Sequence, residues 1–136
     1  MKGLAMKQFE LTKKMISMGG TFYPTGYAFI MFPDLEDAKQ VAQELEVGSD
    51  GVMLLTPQEI LTDIGHADGH SDVNLPRVGT EGATVHKYVD LAREGHHALM
   101  IPVPNKDATE RIMTVVRKVP FSYAQKYHSL AIEDLE

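Results

Sequence analysis

The sequence contains no cysteine and no tryptophan in its 136 residues. Without cysteine the chain forms no disulfide, and it has no thiolate to act as a nucleophile or metal ligand. It also lacks an apolar run near the roughly 20 residues that cross a bilayer, and no apolar segment with a small-residue cleavage site stands near its start. From these absences we expect a cytoplasmic protein with no membrane partner.

Positive charge is also scarce, with 13 Lys and Arg against 19 Asp and Glu and a formal net charge of -6. Residues 1–25 hold four of the Lys and a single Glu, so the remainder of the chain is distinctly acidic. Because non-specific nucleic-acid affinity comes largely from Lys and Arg at phosphates, this composition disfavours a surface built for nucleic acid. The length and the 43% apolar content fit one globular domain.

Two stretches of the chain repeat one pattern, in which an apolar run is followed by proline, a capping residue and a helix-like stripe. The first is AFIMFPDLEDAKQVAQEL and the second is ALMIPVPNKDATERIMTVV. The apolar runs predict buried strands, and Asp34 and Asn105 can cap helices whose apolar residues recur at three- and four-residue steps. The repeat therefore predicts two strand-helix units, and FSYAQKYHSLAIEDL contains a last predicted strand.

An insertion at about residues 56–95 separates the two halves. It follows a predicted strand, GVMLL, begins with a capping box formed by Thr56 and Glu59, and ends in a predicted helix that stops at Gly95. Two strand-helix-strand halves predict an α+β ferredoxin-like sandwich, with a four-stranded antiparallel sheet and helices on one face. We expect this domain to span residues 21–136, after an N-terminal helix or tail at residues 1–20. A small open α/β sheet is the alternative.

Residues 26–32, GYAFIMF, resemble the octapeptide of RNA-recognition-motif domains, with Thr25 where the leading basic residue would stand. The two-residue period of a strand places Tyr27, Phe29 and Met31 on one face, where they could stack on RNA bases. The position argues against this, because too few residues precede the motif for the strand-helix-strand that should come first. The alternative is that a second copy of the chain covers this apolar face, which predicts a homo-oligomer.

A second candidate site is the segment HADGHSD, in which imidazoles and carboxylates alternate at every second residue. His66, Asp68, His70 and Asp72 are nitrogen and oxygen ligands that could converge on a zinc or similar ion. The same composition is also that of an ordinary solvated loop or a mobile lid, which is the leading interpretation.

A third candidate is a group of titratable rings that the predicted strands bring to the sheet edge. His96 and His97 open the third predicted strand, and Tyr123, Tyr127 and His128 lie in the last one. Such rings could line a pocket for an anion or small ligand near neutral pH. Half-buried packing is the commoner role of Tyr and His at strand ends.

The segments TFYPTGYAFIMF, HKYVDLAREGHHALM and PFSYAQKYHSLAIEDL resemble short uncharacterised bacterial proteins with an RNA-recognition-motif-like octapeptide. The chain is also faintly similar to the ferredoxin-like domains of bacterial general-stress proteins. The first resemblance transfers no catalytic residue and the second supports the fold class alone; a stress-associated role is a further expectation.

Motifs of the common enzyme classes are absent from the sequence, which has no Gly-rich phosphate loop and no nucleophile elbow. We therefore expect a non-enzymatic binding or regulatory domain, without a cofactor, that oligomerises through its sheet and binds a small ligand or a protein. RNA binding through the octapeptide-like strand is the alternative, and metal-assisted chemistry at the His/Asp segment is the third hypothesis.

Overall fold

A computed structural model describes residues 7–8, 15, 22–46, 51–65, 80–129 and 131–136 of the chain. In chain order, the elements are β1 (Lys7–Gln8), β2 (Tyr27–Phe32), α1 (Leu35–Glu46), β3 (Met53–Leu55), α2 (Pro57–Glu59, continued by a π-helical turn at Ile60–Ile64), α3 (Thr80–Arg93), β4 (His97–Pro102), α4 (Lys106–Val116), β5 (Tyr123–Tyr127) and β6 (Ile132–Asp134). None of these helices is both long and apolar enough to cross a membrane.

Local sequence signals set where two of the helices begin. The side chain of Asn105 accepts a hydrogen bond from the Ala108 N–H at 2.9 Å, at the start of α4. Thr56 and Glu59 form a capping box at the start of α2, in which each side chain accepts from the backbone N–H of the other residue. These bonds satisfy backbone donors that the first helical turn leaves free. They confirm the caps predicted at Asn105 and at Thr56.

The sheet has the strand order β1-β3-β4-β2-β5-β6. The five strands from β3 to β6 are antiparallel neighbours, and β1 pairs in parallel with β3 at the edge. Phe29 of β2 is paired across the strands with Met100 of β4 on one side and with Gln125 of β5 on the other. The prediction of a four-stranded sheet is wrong because the two edge strands carry little strand pattern. β6 is three residues long and includes the exposed Glu133 and Asp134, and β1 has only two residues.

One face of the sheet packs against α1 and α4. Ala28, Ile30 and Phe32 of β2 are buried on this side, as the two-residue strand period predicts. The apolar residues of both helices recur at three- and four-residue steps, so each helix turns one apolar face towards the sheet. The helical residues of this core are Ala38, Val41, Ala42, Leu45, Ile112, Met113 and Val116.

The opposite face of the sheet is covered by the insertion, which supplies α2 and α3. Phe29 and Met31 of β2 are buried in this second core, together with Val85, Tyr88 and Ala92 of α3. The predicted arrangement with helices on one face is therefore wrong. The apolar stripe of α3 has to pack against another apolar surface, and the second face of the sheet provides that surface.

The N-terminal segment also contributes to the fold. Lys7–Gln8 is a strand beside β3, whereas the sequence predicted a helix or tail there. Met15 and Phe22 are buried in the same core as α3, and the Tyr23 N–H donates to the Met15 carbonyl at 2.6 Å. The described residues of this segment therefore pack with the sheet.

Candidate functional site

The octapeptide-like strand lies beneath α3, so its aromatic face is not open to solvent. Phe29 and Met31 are 0% exposed, and Tyr27 is half-buried against the same core. The ring of Tyr88 stacks on Phe29 with centroids 4.1 Å apart, where an RNA base would have to lie. Base stacking or contact with a second copy through this face would require α3 to move away. RNA binding and oligomer formation themselves remain predictions.

A cluster of aromatic rings surrounds Tyr88 in this layer. The Tyr88 hydroxyl lies 2.7 Å from the Tyr127 hydroxyl, in a buried hydrogen bond. Burial raises the pKa of Tyr88 well above its usual range, and the neighbouring Tyr127 adds to this shift. The rings of Phe22 and Tyr23 pack edge-on against Tyr127, with centroids at 6.1 and 4.9 Å. Tyr127 is therefore a core residue rather than part of an open ligand pocket.

Tyr123 lies at the margin of this cluster and is half-buried. Its ring packs edge-on against Tyr88 at 5.8 Å, and Lys87 Nζ lies 5.8 Å from the centroid of the Tyr123 ring. Burial raises the pKa of Tyr123; a hydrogen bond with Thr84 opposes the shift and the charge of Asp134 adds to it. These contacts explain Tyr123 as packing between β5 and α3.

His96 and Ser122 connect β4 to β5 at one end of the sheet. His96 Nδ1 and Ser122 Oγ are 2.8 Å apart, and the same hydroxyl donates to the Met31 carbonyl at 3.1 Å. The Glu94 carboxylate lies 3.8 Å from His96 Nε2. Because Ser122 gives its only proton to the Met31 carbonyl, His96 Nδ1 has to donate rather than accept. An imidazole that donates to a serine cannot act as its base, so we interpret the pair as a structural clamp.

His97 follows at the start of β4, and its Nδ1 is buried without a hydrogen-bond partner in the described part of the chain. Burial lowers the pKa of His97; the Gly95 carbonyl opposes this shift, and the charge of Lys39 adds to it. Gly95 has a φ of +92°, a conformation that favours glycine, and it lets the chain turn from α3 into β4. The lowered pKa of His97 favours a neutral imidazole in the folded chain.

The structure divides the five predicted pocket residues between two ends of the sheet. His96, His97 and Tyr123 lie at the end where β4 and β5 begin, because these strands run antiparallel to β2. Tyr127 and His128 lie at the opposite end of β5. His128 lines a cleft between α4 and the β5–β6 hairpin, and the other four residues are not part of the lining of that cleft.

The cleft between α4 and the β5–β6 hairpin has a volume of about 530 Å³. Met113 and Leu135 supply apolar surface to its walls. His128 Nε2 and the Glu133 carboxylate are hydrogen-bonded at 2.9 Å. The charged residues around the cleft are of both signs: Lys106, Arg117 and Lys126, and Glu110, Glu133, Asp134 and Glu136.

Lys126 is the buried cationic residue of this cleft. It lies in β5, is 9% exposed, and makes no ion pair or hydrogen bond with its side chain among the described residues. Its cross-strand neighbour Glu133 bonds to His128 instead, and Asp134 accepts a hydrogen bond from Gln125 Nε2. The side chain of Lys126 is largely buried, and no described carboxylate lies within ion-pair distance of its charge. Lys126 is therefore the group in the cleft best suited to pair with an anion.

Sequence reasoning missed Lys126, although the strand pattern contains a signal for it. Lys126 is two residues from Ala124, which is buried in the core between the sheet and α1 and α4. The strand period therefore puts both residues on the face that the helices cover. A lysine in such a position is rare unless it has a partner. The sequence does not indicate that α4 leaves a cleft beside it.

The residues considered as metal ligands, His66, Asp68, His70 and Asp72, lie outside the described residues. Within the described ranges, no group of three or more His, Asp or Glu could hold a metal ion. The metal hypothesis stays a prediction and is independent of the cleft.

Compared with known proteins, the chain matches no protein-family model, no curated protein sequence and no solved structure. Similarity therefore assigns no family to this chain. The charge, size and lining of the cleft are the observations from which a function can be inferred.

Proposed function

We propose that this protein is a non-catalytic binding domain that holds a small anionic ligand in the cleft between α4 and the β5–β6 hairpin. The observation that carries the proposal is Lys126, a buried lysine that lines the cleft without a partner among the described residues. A carboxylate or phosphate oxygen in the cleft would form a charge-assisted hydrogen bond with its ammonium.

The size and walls of the cleft support a ligand of metabolite size. Its volume of about 530 Å³ falls within the range of about 300–1,000 Å³ that is usual for small-molecule sites. Met113 and Leu135 offer apolar contact to the body of such a ligand. Arg117 adds positive charge at the same cleft, although its Nε already donates to the Glu136 carbonyl at 2.7 Å.

We propose binding rather than catalysis because the sequence contains no recognisable nucleophile motif. The one hydroxyl in the described lining of the cleft, that of Thr109, donates to the Asn105 carbonyl at 3.2 Å. The hydrogen bond between His128 Nε2 and the Glu133 carboxylate joins the ends of β5 and β6.

The finer fold that we propose is a ferredoxin-like sandwich with additions. The units β2-α1-β3 and β4-α4-β5 interleave in the order β3-β4-β2-β5, with α1 and α4 on one face. This is the arrangement of two split strand-helix-strand units. β1 and β6 extend the sheet at its edges, and the insertion covers the second face.

The proposal is tested by titrating the purified protein with a panel of small monocarboxylates, dicarboxylates and inorganic phosphate, using calorimetry and thermal unfolding. We expect at least one of these anions to bind at a single site and to raise the unfolding temperature. Ligand at about one hundred times its Kd would stabilise the fold by about 2.7 kcal/mol. Lys126→Met, which keeps the length of the side chain, should abolish this binding.

Lys118→Met is the matched control, because Lys118 is exposed and pairs with Glu44 at 2.6 Å, outside the cleft. The control variant should bind the anions like the unmodified protein. The proposal would be overturned if no anion of the panel binds, or if both Lys variants lose binding to the same extent.

A further inference from the structure

We infer that the ligand is a zwitterion of the amino-acid type, with its anion at Lys126 and a cationic group at the mouth of the cleft. The inference rests on the proposed function, because it takes the same cleft as the binding site. The proposed function specifies only the negative charge of the ligand. The inference adds a positive charge at the other end of the same ligand.

The mouth of the cleft has carboxylates that could receive a cationic group. Of the four acidic residues that line the cleft, Glu133 is bonded to His128 and Asp134 to Gln125, which leaves Glu110 and Glu136. Glu110 on α4 and Glu136 are both exposed, and neither carboxylate makes an ion pair among the described residues. Lys106 is four residues before Glu110 on the same helix but forms no ion pair with it, and Arg117 is held by the Glu136 carbonyl. An ammonium group of the ligand at the mouth would therefore find a carboxylate that has no ion pair among the described residues.

The lining of the cleft offers the three kinds of surface that such a ligand needs. The buried Lys126 lies on the sheet, and the exposed Glu110 lies on α4. The buried Met113, one helical turn after Glu110, and the half-buried Leu135 add apolar surface. A ligand with an inner anion, a short aliphatic body and an outer ammonium would contact all three kinds of surface. Burying the aliphatic body removes apolar area from water, which adds to the affinity.

Three probes of equal carbon number separate the possibilities: 6-aminohexanoate, hexanoate and hexanedioate. Each is titrated calorimetrically into the unmodified protein and into Glu110→Gln, with Glu36→Gln as control. Glu36 is an exposed residue of α1 that does not line the cleft. We expect 6-aminohexanoate to bind about two- to fivefold more tightly than hexanoate, which is the usual range for one exposed ion pair. Hexanedioate should bind most weakly.

Glu110→Gln should bring the affinities of 6-aminohexanoate and hexanoate together, and Glu36→Gln should keep them apart. If hexanedioate binds as tightly as 6-aminohexanoate, or if Glu110→Gln keeps the preference, the zwitterion inference is wrong while the anion site stands. If none of the three probes nor any anion of the wider panel binds, the proposed function fails together with the inference.

Discussion

The ring of Tyr88 on α3 lies on the ring of Phe29 on β2, with centroids 4.1 Å apart and an angle of 29° between the planes. This contact places the insertion on the sheet face that would have to be open for the octapeptide-like strand to read RNA. The cleft where β5 and β6 meet α4 lies on the other face of the sheet and is the candidate ligand site.

Phe29→Ala should destabilise the fold by about 3–5 kcal/mol, because the substitution leaves a cavity in a completely buried core. Urea unfolding measures this loss. Tyr27→Ala should cost less, since Tyr27 is only half-buried. The contrary outcome is that Phe29→Ala weakens RNA binding while the free energy of unfolding changes by less than about 1 kcal/mol. It would mean that α3 leaves this face of the sheet open.

The hydroxyl pair of Tyr88 and Tyr127 should appear as an energetic coupling in a double-mutant cycle. Tyr88→Phe and Tyr127→Phe should each lower the free energy of unfolding by about 1–2 kcal/mol, because each removes one partner of a buried hydrogen bond. The double variant should cost less than the sum, by at least about 0.5 kcal/mol. Strict additivity of the two losses would show that the hydroxyls do not interact.

The stability of the protein should depend on pH through His97. Burial lowers the pKa of His97 in the fold, so the unfolded chain, with an imidazole pKa near about 6.5, takes up the proton first as the pH falls. The contribution of the neutral ring is present above about pH 6.5 and is lost as the pH falls towards the lowered folded-state pKa.

Urea midpoints at pH 8 and pH 5.5 check the role of His97, with His97→Gln as the test and the exposed His86→Gln as control. The drop in stability between the two pH values should be smaller in His97→Gln than in the control. Equal drops in both variants would exclude His97 as its source.

Lys126→Met should make the protein more stable in the absence of ligand, by about 0.5–2 kcal/mol. The reason is that the Lys126 side chain is largely buried and has no partner among the described residues, whereas methionine is apolar and of similar length. Urea unfolding without added anions measures this difference, and Lys118→Met is again the control. A loss of stability in Lys126→Met would show that the ammonium already has a stabilising role in the folded chain.

The parts of the structure that could be predicted are those with a local signal. The continuous apolar run of β2 predicted the bounds of that strand, and Thr56 and Asn105 predicted where α2 and α4 begin. These signals could be used because strand pattern and helix capping depend on residues that are neighbours in the sequence. The packing of α3 could not be predicted in the same way, since Tyr88 and Phe29 are distant in sequence. The short, charged β6 has no strand period, and the cleft at Lys126 depends on how α4 docks beside that strand.

The most direct test of the ligand cleft is an NMR titration of the ¹⁵N-labelled protein with 6-aminohexanoate, following the backbone amide resonances. The proposal predicts saturable shifts confined to residues of α4, β5 and β6, including Lys126 and His128, and their absence in Lys126→Met. Shifts that do not saturate, that lie elsewhere in the chain, or that persist unchanged in Lys126→Met would contradict it.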